Sequence, residues 1–220
     1  MAKRTARDIS AFLGPIVSEF PDIRTELTYS TPFQFLVAVM LSAQTTDKQV
    51  NRTTPEYFSK VRTPEDALAV SVEETERMLG SVNYYRTKCR HVRMAAEMLV
   101  RDFGSEVPRR FEDAVKLPGV GVKTAKVVLS VLYDAPLVGV DTHVHRVLNR
   151  LGIVKTASPE ATDREVERVF TTEQKRYAHH PLVLFGRYRC FARNPRCSDC
   201  LLRDSCPALA KALKSGKPVA

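Results

Sequence analysis

The sequence lacks the features of membrane-spanning, exported and repetitive proteins. No apolar run is long enough to cross a bilayer, and no apolar core or cleavage site follows the basic N-terminus Met1–Arg7. No fixed-period repeat is present, and no stretch alternates with a period of two for long. These absences argue against solenoids and sheets. A cytoplasmic protein without membrane contact is expected, nucleoid-associated if the source is a prokaryote.

Acidic residues are few relative to basic ones. The 220 residues contain 34 Lys and Arg against 25 Asp and Glu, which gives a net charge of +9 and a pI near 9.5. A polyanionic partner, most simply nucleic acid, is therefore predicted. The chain is long enough for one well-packed domain or two small ones.

Helical patterns and helix start signals run through the chain. Thr31-Pro32 and Ser158-Pro159 are typical helix starts, and Gly104 would end a helix that begins near Arg86. The segment Phe33–Leu41 is nearly all apolar, which predicts a buried helix. The fold class predicted from the sequence is all-α.

A two-glycine turn lies between two predicted helices, in Leu117–Ala125. Gly119 and Gly121 suit a tight turn without Cβ atoms, and the amides that open the second helix favour an anion such as phosphate. The alternative is a simple connection between helices. Lys123 follows in the first turn of the second helix, where a cation opposes the helix dipole. This amine could be a Schiff-base nucleophile or a phosphate contact.

Four of the five cysteines are clustered near the C-terminus. In a chain without an export signal, this spacing indicates a metal site rather than disulfides, and both zinc and an iron–sulfur cluster are chemically possible. Arg193 and Arg196 lie between the first two cysteines and could either face phosphates or belong to a solvated basic tail. Cys89 is expected in the core. The clustered residues are Cys190, Cys197, Cys200 and Cys206.

Two polar segments carry further candidates. Asp141 stands just before a predicted helix, so it is expected either to cap that helix or to stabilise positive charge on a sugar. Gln44 lies in Leu41–Asp47, which could equally be a capped helix end.

These segments resemble the endonuclease III family of DNA base-excision glycosylases. The resemblance rests on Leu117–Ala125, on Val140–Val147, on Leu41–Asp47 and on the gaps between the four cysteines. It implies two helical domains with a DNA-binding groove between them. Residues 25–135 would be a six-helix domain with a helix–hairpin–helix, and residues 1–24 with 136–220 an iron–sulfur domain.

The resemblance also implies an activity and a set of roles. The protein would be a monomeric, bifunctional DNA glycosylase and abasic-site lyase that removes oxidised pyrimidines from duplex DNA. Lys123 would attack the sugar, Asp141 would stabilise its positive charge, and the four clustered cysteines would hold a [4Fe–4S] cluster. DNA contacts are expected from Gln44, Tyr84, Gly119, Val120, Gly121, His143, Arg193 and Arg196.

One turn departs from the family pattern. The family has glycine and then an apolar wedge residue where this chain has Asn83 and Tyr84. An aromatic wedge could stack on bases, or Tyr84 could simply pack on the turn. Two alternatives to the predicted activity are a monofunctional mismatch glycosylase, whose members lack the lysine, and a DNA-damage-binding protein without catalysis.

Overall fold

The computed structural model describes residues 5–21 and 25–215, and within them every regular element is a helix. The predicted all-α class is confirmed, while the start of the basic N-terminal segment, Met1–Arg4, lies outside the described residues. The helices are α1 (Ala6–Glu19), α2 (Pro32–Leu41), α3 (Asp47–Lys60), α4 (Pro64–Ala69), α5 (Val72–Leu79), α6 (Tyr85–Phe103), α7 (Phe111–Ala114), α8 (Val122–Tyr133), α9 (Thr142–Arg150), α10 (Pro159–Val169), α11 (Thr172–Tyr188) and α12 (Pro207–Lys214).

The chain forms two compact units. One is the continuous stretch Thr25–Tyr133, and the other combines Met1–Arg24 with Asp134–Ala220. The continuous unit contains α2 to α8, of which α7 is a single turn, and the composite unit contains α1 and α9 to α12. Assigning these units to a hairpin domain and a cluster domain, with limits at residues 25 and 135, stays a prediction.

The continuous unit is built around α2 and α6. Helix α2 begins at Pro32 because the Thr31 hydroxyl accepts a hydrogen bond from the Gln34 amide. From Phe33 to Leu41 every side chain is buried. Helix α2 packs against α3, α6 and α8, and α6 also packs against α4 and α5. This packing places the two ends of α6 and the start of α8 on a rigid framework.

The composite unit brings the N-terminal helix to the C-terminal third of the chain. Helix α1 packs against α11, which also packs against α9. The buried side-chain amide of Gln174 donates to the Ala6 carbonyl oxygen at 2.7 Å and to the Ser10 hydroxyl at 2.9 Å. The core contains Leu13, Leu148 and Leu182, and Cys190, Cys200 and Cys206 pack partly buried against it.

No helix in the described part of the chain is both long enough and apolar enough to cross a membrane.

Helices α9 and α11 approach each other closely at Gly186 of α11. A Cβ at this position would lie 2.8 Å from the His143 Cβ and 3.2 Å from its Cα, whereas a Cβ at Gly14 in α1 would meet nothing within 4 Å. We expect Gly186→Ala to lower the free energy of unfolding by about 1–3 kcal/mol through overpacking. Gly14→Ala should not lower it, because alanine favours helix by up to about 1 kcal/mol.

Denaturant unfolding of the cluster-loaded protein, followed by circular dichroism, measures both changes. Equal stability of the two variants would contradict this assignment of Gly186.

Candidate functional site

The two-glycine turn connects α7 to α8. The Val120 amide donates to the Leu117 carbonyl at 3.0 Å, and the Ala125 amide donates to the Gly121 carbonyl at 2.9 Å as the first bond of α8. Gly121 therefore occupies the N-cap position. The next three amides, at residues 122–124, are the ones that α8 itself cannot pair.

The two glycines have different roles, although the sequence suggested a shared one. Gly119 has a φ of +79°, and a Cβ there would lie 2.8 Å from the Cβ of His91 on α6. Gly121 lacks a left-handed φ, and a Cβ there would meet nothing within 4 Å. Gly119 is needed for the conformation of the turn and for its close contact with His91, whereas Gly121 leaves open space at the start of α8.

The predicted ligand role of Val120 needs correction. Its amide is used inside the turn, as the donor to Leu117, and its side chain is only 5% exposed. Within the described chain, the amides of Gly119 and Gly121 make no hydrogen bond. Val120 thus belongs to the turn itself, and the free donors lie on either side of it.

Lys123 lies on the exposed side of the first turn of α8. Its ammonium forms no hydrogen bond or ion pair with any residue that the structure describes. Lys116, just before the turn, instead pairs with Asp113 at 2.8 Å, and Lys126 is buried. Lys123 is therefore available to a ligand that lies at the α8 N-terminus.

The predicted wedge residue and the predicted glutamine lie on two loops that contact each other. The Asn83 side-chain amide donates to the Gln44 carbonyl oxygen at 2.5 Å, and the Asn83 backbone amide donates to the Thr45 hydroxyl at 3.3 Å. Gln44 and Tyr84 both have left-handed φ angles, of 54° and 58°. Both side chains are exposed, Tyr84 by 69%. The two residues are therefore presented together.

Lys88 supports these loops and was missed by the sequence analysis. It lies in the first turn of α6 with 8% exposure, and its ammonium donates to the carbonyl oxygens of Leu41 and Ala43 and to the Thr45 hydroxyl. Burial lowers the pKa of Lys88. The helical spacing of Lys88 with buried Val92 and Leu99 was the signal that placed it on the inner face.

In the composite unit, Asp141 is the N-cap of α9. Its Oδ1 accepts hydrogen bonds from the amides of His143 and Val144, both at 2.8 Å. The predicted cap is confirmed. The other oxygen, Oδ2, makes no hydrogen bond to a described residue. The two hydrogen bonds hold the carboxylate in one orientation at the N-terminus of α9.

Two arginines join α9 to the segment that carries Cys190. Arg146 donates to the carbonyl oxygens of Gly186 at 2.7 Å and of Cys190 at 2.9 Å, and its Nη2 lies 3.2 Å from the His143 Nδ1. Arg150 donates to the Phe191 carbonyl oxygen at 2.6 Å and to the Cys190 Sγ at 3.2 Å. Neither arginine was predicted, because sequence reveals no partner for a surface cation.

The four clustered cysteines line one cavity, and none forms a disulfide. Its walls include apolar Leu151, Phe185, Leu202 and Leu209. Within the described residues, no three His, Cys, Asp or Glu side chains are grouped as one metal ion would require. Four cysteine thiolates at one cavity are the usual ligand set of an iron–sulfur cluster.

The charges around this cavity also suit an anionic cluster. Burial, followed by the nearby thiolates of Cys190 and Cys206, raises the pKa of Cys197, and burial also raises the pKa of Cys200. The thiols therefore need a compensating cation to ionise together, and iron provides it. Three arginines that line the cavity can offset the remaining negative charge, namely Arg150, Arg196 and Arg203, whereas Arg189 pairs with Glu19 and Asp199.

The two predicted loop arginines are both exposed but differ in their contacts. The Arg196 guanidinium lies 5.7 Å from the centre of the Phe191 ring, and its backbone amide donates to the Arg189 carbonyl oxygen at 3.1 Å. Arg193 lies at the outer end of the loop, beside Asn194 with its left-handed φ of 48°. Arg196 is thus held in place, and Arg193 extends outward.

Two stretches of the chain match models of known protein families. Residues 37–172 match the model of HhH-GPD superfamily base excision DNA repair proteins, and residues 190–206 match the iron–sulfur binding domain of endonuclease III. The first match contains both Lys123 and Asp141, and the second begins and ends at clustered cysteines.

Relatives of known identity agree over nearly the full chain. Endonuclease III of Bacillus subtilis (strain 168) is 43% identical over 211 residues, which cover 96% of each chain. Endonuclease III of Escherichia coli (strain K12) is 38% identical over 84% of this chain and 88% of its own length. A solved structure of a trapped endonuclease III–DNA covalent intermediate is 40% identical, with a TM-score of 0.87 over 96% of this chain and 99% of that one.

The chain therefore belongs to the HhH-GPD superfamily of base excision DNA repair proteins and, within it, to the endonuclease III family. It is a DNA glycosylase/lyase of base excision repair and an iron–sulfur protein with a [4Fe–4S] cluster.

The two glycines give a matched test of the turn. Gly119→Ala should lower the free energy of unfolding by about 2–4 kcal/mol, because alanine is strained in the left-handed conformation and its Cβ would overlap His91. Gly121→Ala should lower the free energy of unfolding by only about 1 kcal/mol or less, since alanine is a poorer N-cap than glycine. It should weaken binding to duplex DNA by about tenfold, because its Cβ would obstruct a phosphate. Denaturant unfolding and fluorescence anisotropy with an abasic-site analogue measure the two effects. Unchanged affinity of Gly121→Ala would contradict phosphate binding at this turn.

Proposed function

We propose that this protein removes oxidised pyrimidines from duplex DNA and then cuts the strand, through a Schiff base formed by Lys123. The observation that carries the proposal is the placement of Lys123. Its amine is exposed and unpartnered within the described chain, beside helix amides suited to a phosphate. The preference for oxidised pyrimidines rests on the family resemblance.

The chemistry requires one amine that acts twice. Lys123 Nζ attacks C1′ of the flipped nucleotide, the bond from C1′ to the base breaks, and the base leaves with a proton. Opening of the sugar ring gives an imine between Nζ and C1′. The imine makes the C2′ proton acidic, and its removal expels the 3′ phosphate by β-elimination. The strand is thus cut 3′ to the lesion.

Asp141 is proposed to stabilise the positive charge that develops on the sugar and to move protons. The Oδ1 atom accepts the two α9 amides, so the carboxylate is fixed before DNA binds. Its Oδ2 is free for the substrate within the described residues. A preorganised charge of this kind is an efficient form of transition-state stabilisation.

Gln44 and Tyr84 are proposed to occupy the space that the flipped nucleotide leaves in the duplex. Both extend from left-handed positions on loops joined by Asn83. The Tyr84 ring offers a flat face for base stacking, which is worth about 1–3 kcal/mol per base in nucleic-acid complexes. We propose that Tyr84 is the wedge, in place of the apolar residue of the family.

The remaining assignments concern the composite unit and the DNA backbone. Cys190, Cys197, Cys200 and Cys206 are proposed as the cluster ligands, and with four thiolates the cluster has a structural role. It would hold the loop that presents Arg193 and Arg196 to phosphates. His143 would contact DNA close to Asp141. Gly119 and Gly121 would donate amides to a phosphate.

We further propose a monomer of the cytoplasm, nucleoid-associated in a prokaryote, that acts on duplex DNA containing damaged bases or abasic sites. The net charge of +9 favours that partner.

Borohydride trapping on an oligonucleotide with one thymine glycol tests the role of Lys123. We expect a covalent adduct with the wild type and none with Lys123→Ala, since only a neutral amine forms the reducible imine. Lys116→Ala removes an exposed lysine from the same hairpin and should keep the adduct.

Asp141→Asn should still cap α9 but slow base release by about 100-fold or more, because the charge is lost.

Other outcomes identify the competing activities. Base release without an adduct would indicate a monofunctional glycosylase. Tight binding without either product would indicate a damage-binding protein, and the proposed chemistry would be wrong.

The cluster ligands can be tested against the one cysteine outside the set. Cys89 is 3% exposed in the core of the continuous unit and does not line the cavity of the four clustered cysteines, so it is not expected to bind iron. Cys200→Ser should abolish stoichiometric iron and acid-labile sulfide in the purified protein, whereas Cys89→Ser should retain both. Chemical analysis of iron and sulfide per chain is the measurement. Retention of a full cluster in Cys200→Ser would remove Cys200 from the ligand set.

A further inference from the structure

The Lys88 ammonium is buried among neutral partners. Its three hydrogen bonds, at 2.7 Å to the Leu41 carbonyl oxygen, 2.6 Å to that of Ala43 and 3.0 Å to the Thr45 hydroxyl, use all its donors. Among the described residues no carboxylate pairs with this ammonium, and desolvation is the cause of its lowered pKa. Burying a cation without a counter-charge is costly, so a specific benefit is expected at this position.

Capping of α2 does not account for this arrangement by itself. The carbonyl groups at the end of a helix attract a cation, and the buried Leu41 carbonyl is one that Lys88 satisfies. The Ala43 carbonyl and the Thr45 hydroxyl lie beyond the end of α2, and a cap of α2 alone would not require Lys88 to bind them. Lys88 reaches from the first turn of α6, the helix that starts directly after Tyr84.

The three acceptors lie in the segment that leads to and follows Gln44. Thr45 accepts from both Lys88 and the Asn83 backbone amide, and Asn83 also donates to the Gln44 carbonyl oxygen. The network thus runs from one loop to the other through a single buried ammonium. At each end is a residue in a left-handed conformation that side chains rarely adopt, Gln44 and Tyr84.

We propose that Lys88 is a positioning residue that holds the Gln44 and Tyr84 loops together, so that both side chains enter the duplex as one preformed unit. This inference rests on the proposed function of Gln44 and Tyr84. Preorganisation matters because each loop would otherwise have to be ordered while the base is being flipped. Lys88 itself touches neither the DNA nor the reacting atoms.

The test compares Lys88→Met with Val92→Ala. Methionine keeps most of the length of lysine but removes the ammonium and its three bonds. Val92 is 1% exposed and lies one turn further along the same helix, so its truncation perturbs the core without touching either loop. The substrates are a duplex with one abasic site and the same strand unpaired, in which no stack must be opened.

We expect Lys88→Met to lower the ratio of duplex to single-strand cleavage by about 10- to 100-fold, the loss typical of a misplaced active-site group. Fluorescence of 2-aminopurine opposite a non-cleavable abasic analogue should rise on addition of the wild type and rise less with Lys88→Met at saturation. Val92→Ala should match the wild type in both measurements at a temperature where it is folded. Lys88→Arg, which keeps the charge and donors, should recover part of the ratio.

Two results would overturn the inference in distinguishable ways. If the wild type cleaves abasic duplexes and Lys88→Met has the same ratio and fluorescence as Val92→Ala, Lys88 only caps α2. If the wild type cleaves neither substrate and does not raise the 2-aminopurine fluorescence, the proposed function itself is wrong. The proposed role of Lys88 is then wrong as well.

Discussion

Unpaired backbone groups at helix ends are the constraint on which this structure depends. A helix leaves amides without partners at its start and carbonyls without partners at its end, and something must satisfy them. At α9 the partner is the Asp141 carboxylate, and at the end of α2 it is the Lys88 ammonium. At α8 no side chain in the described part of the chain pairs with the first amides, and the space beside Gly121 is open, which is where a phosphate is proposed to bind.

Hydrogen bonds at a helix end also hold a candidate functional group in a fixed place. Asp141 is held by the bonds that begin its own helix, and α9 is in turn joined to the cluster loop by Arg146 and Arg150. A carboxylate that already accepts two amides cannot rotate away when the substrate arrives. The hydrogen bonds that stabilise the start of α9 therefore also orient the Asp141 carboxylate, so its role as a cap is compatible with the catalytic role proposed for it.

Local signals explain which features the sequence predicted well. Three predicted helix limits are found in the structure, because such preferences depend on neighbouring residues alone. Helices begin after Thr31 and Ser158, and one ends at Gly104. The Asp141 cap and the buried Cys89 followed from similar patterns. The role of Gly119 and the contacts of Lys88 and Arg150 could not be assigned this way. They depend, in that order, on the position of His91, on a loop over forty residues away, and on the cysteine segment.

The composite unit has a consequence for biosynthesis. Its first helix must wait for α11, because the Gln174 side chain bonds to Ala6 and Ser10 across 168 and 164 residues. The hairpin-bearing stretch Thr25–Tyr133 is continuous and has its own core, so it can fold while the ribosome is still translating the rest. The N-terminal helix leaves the ribosome first yet docks among the last elements. Iron loading is therefore a late step, since all four clustered thiols follow Arg189, to which α1 is joined through Glu19.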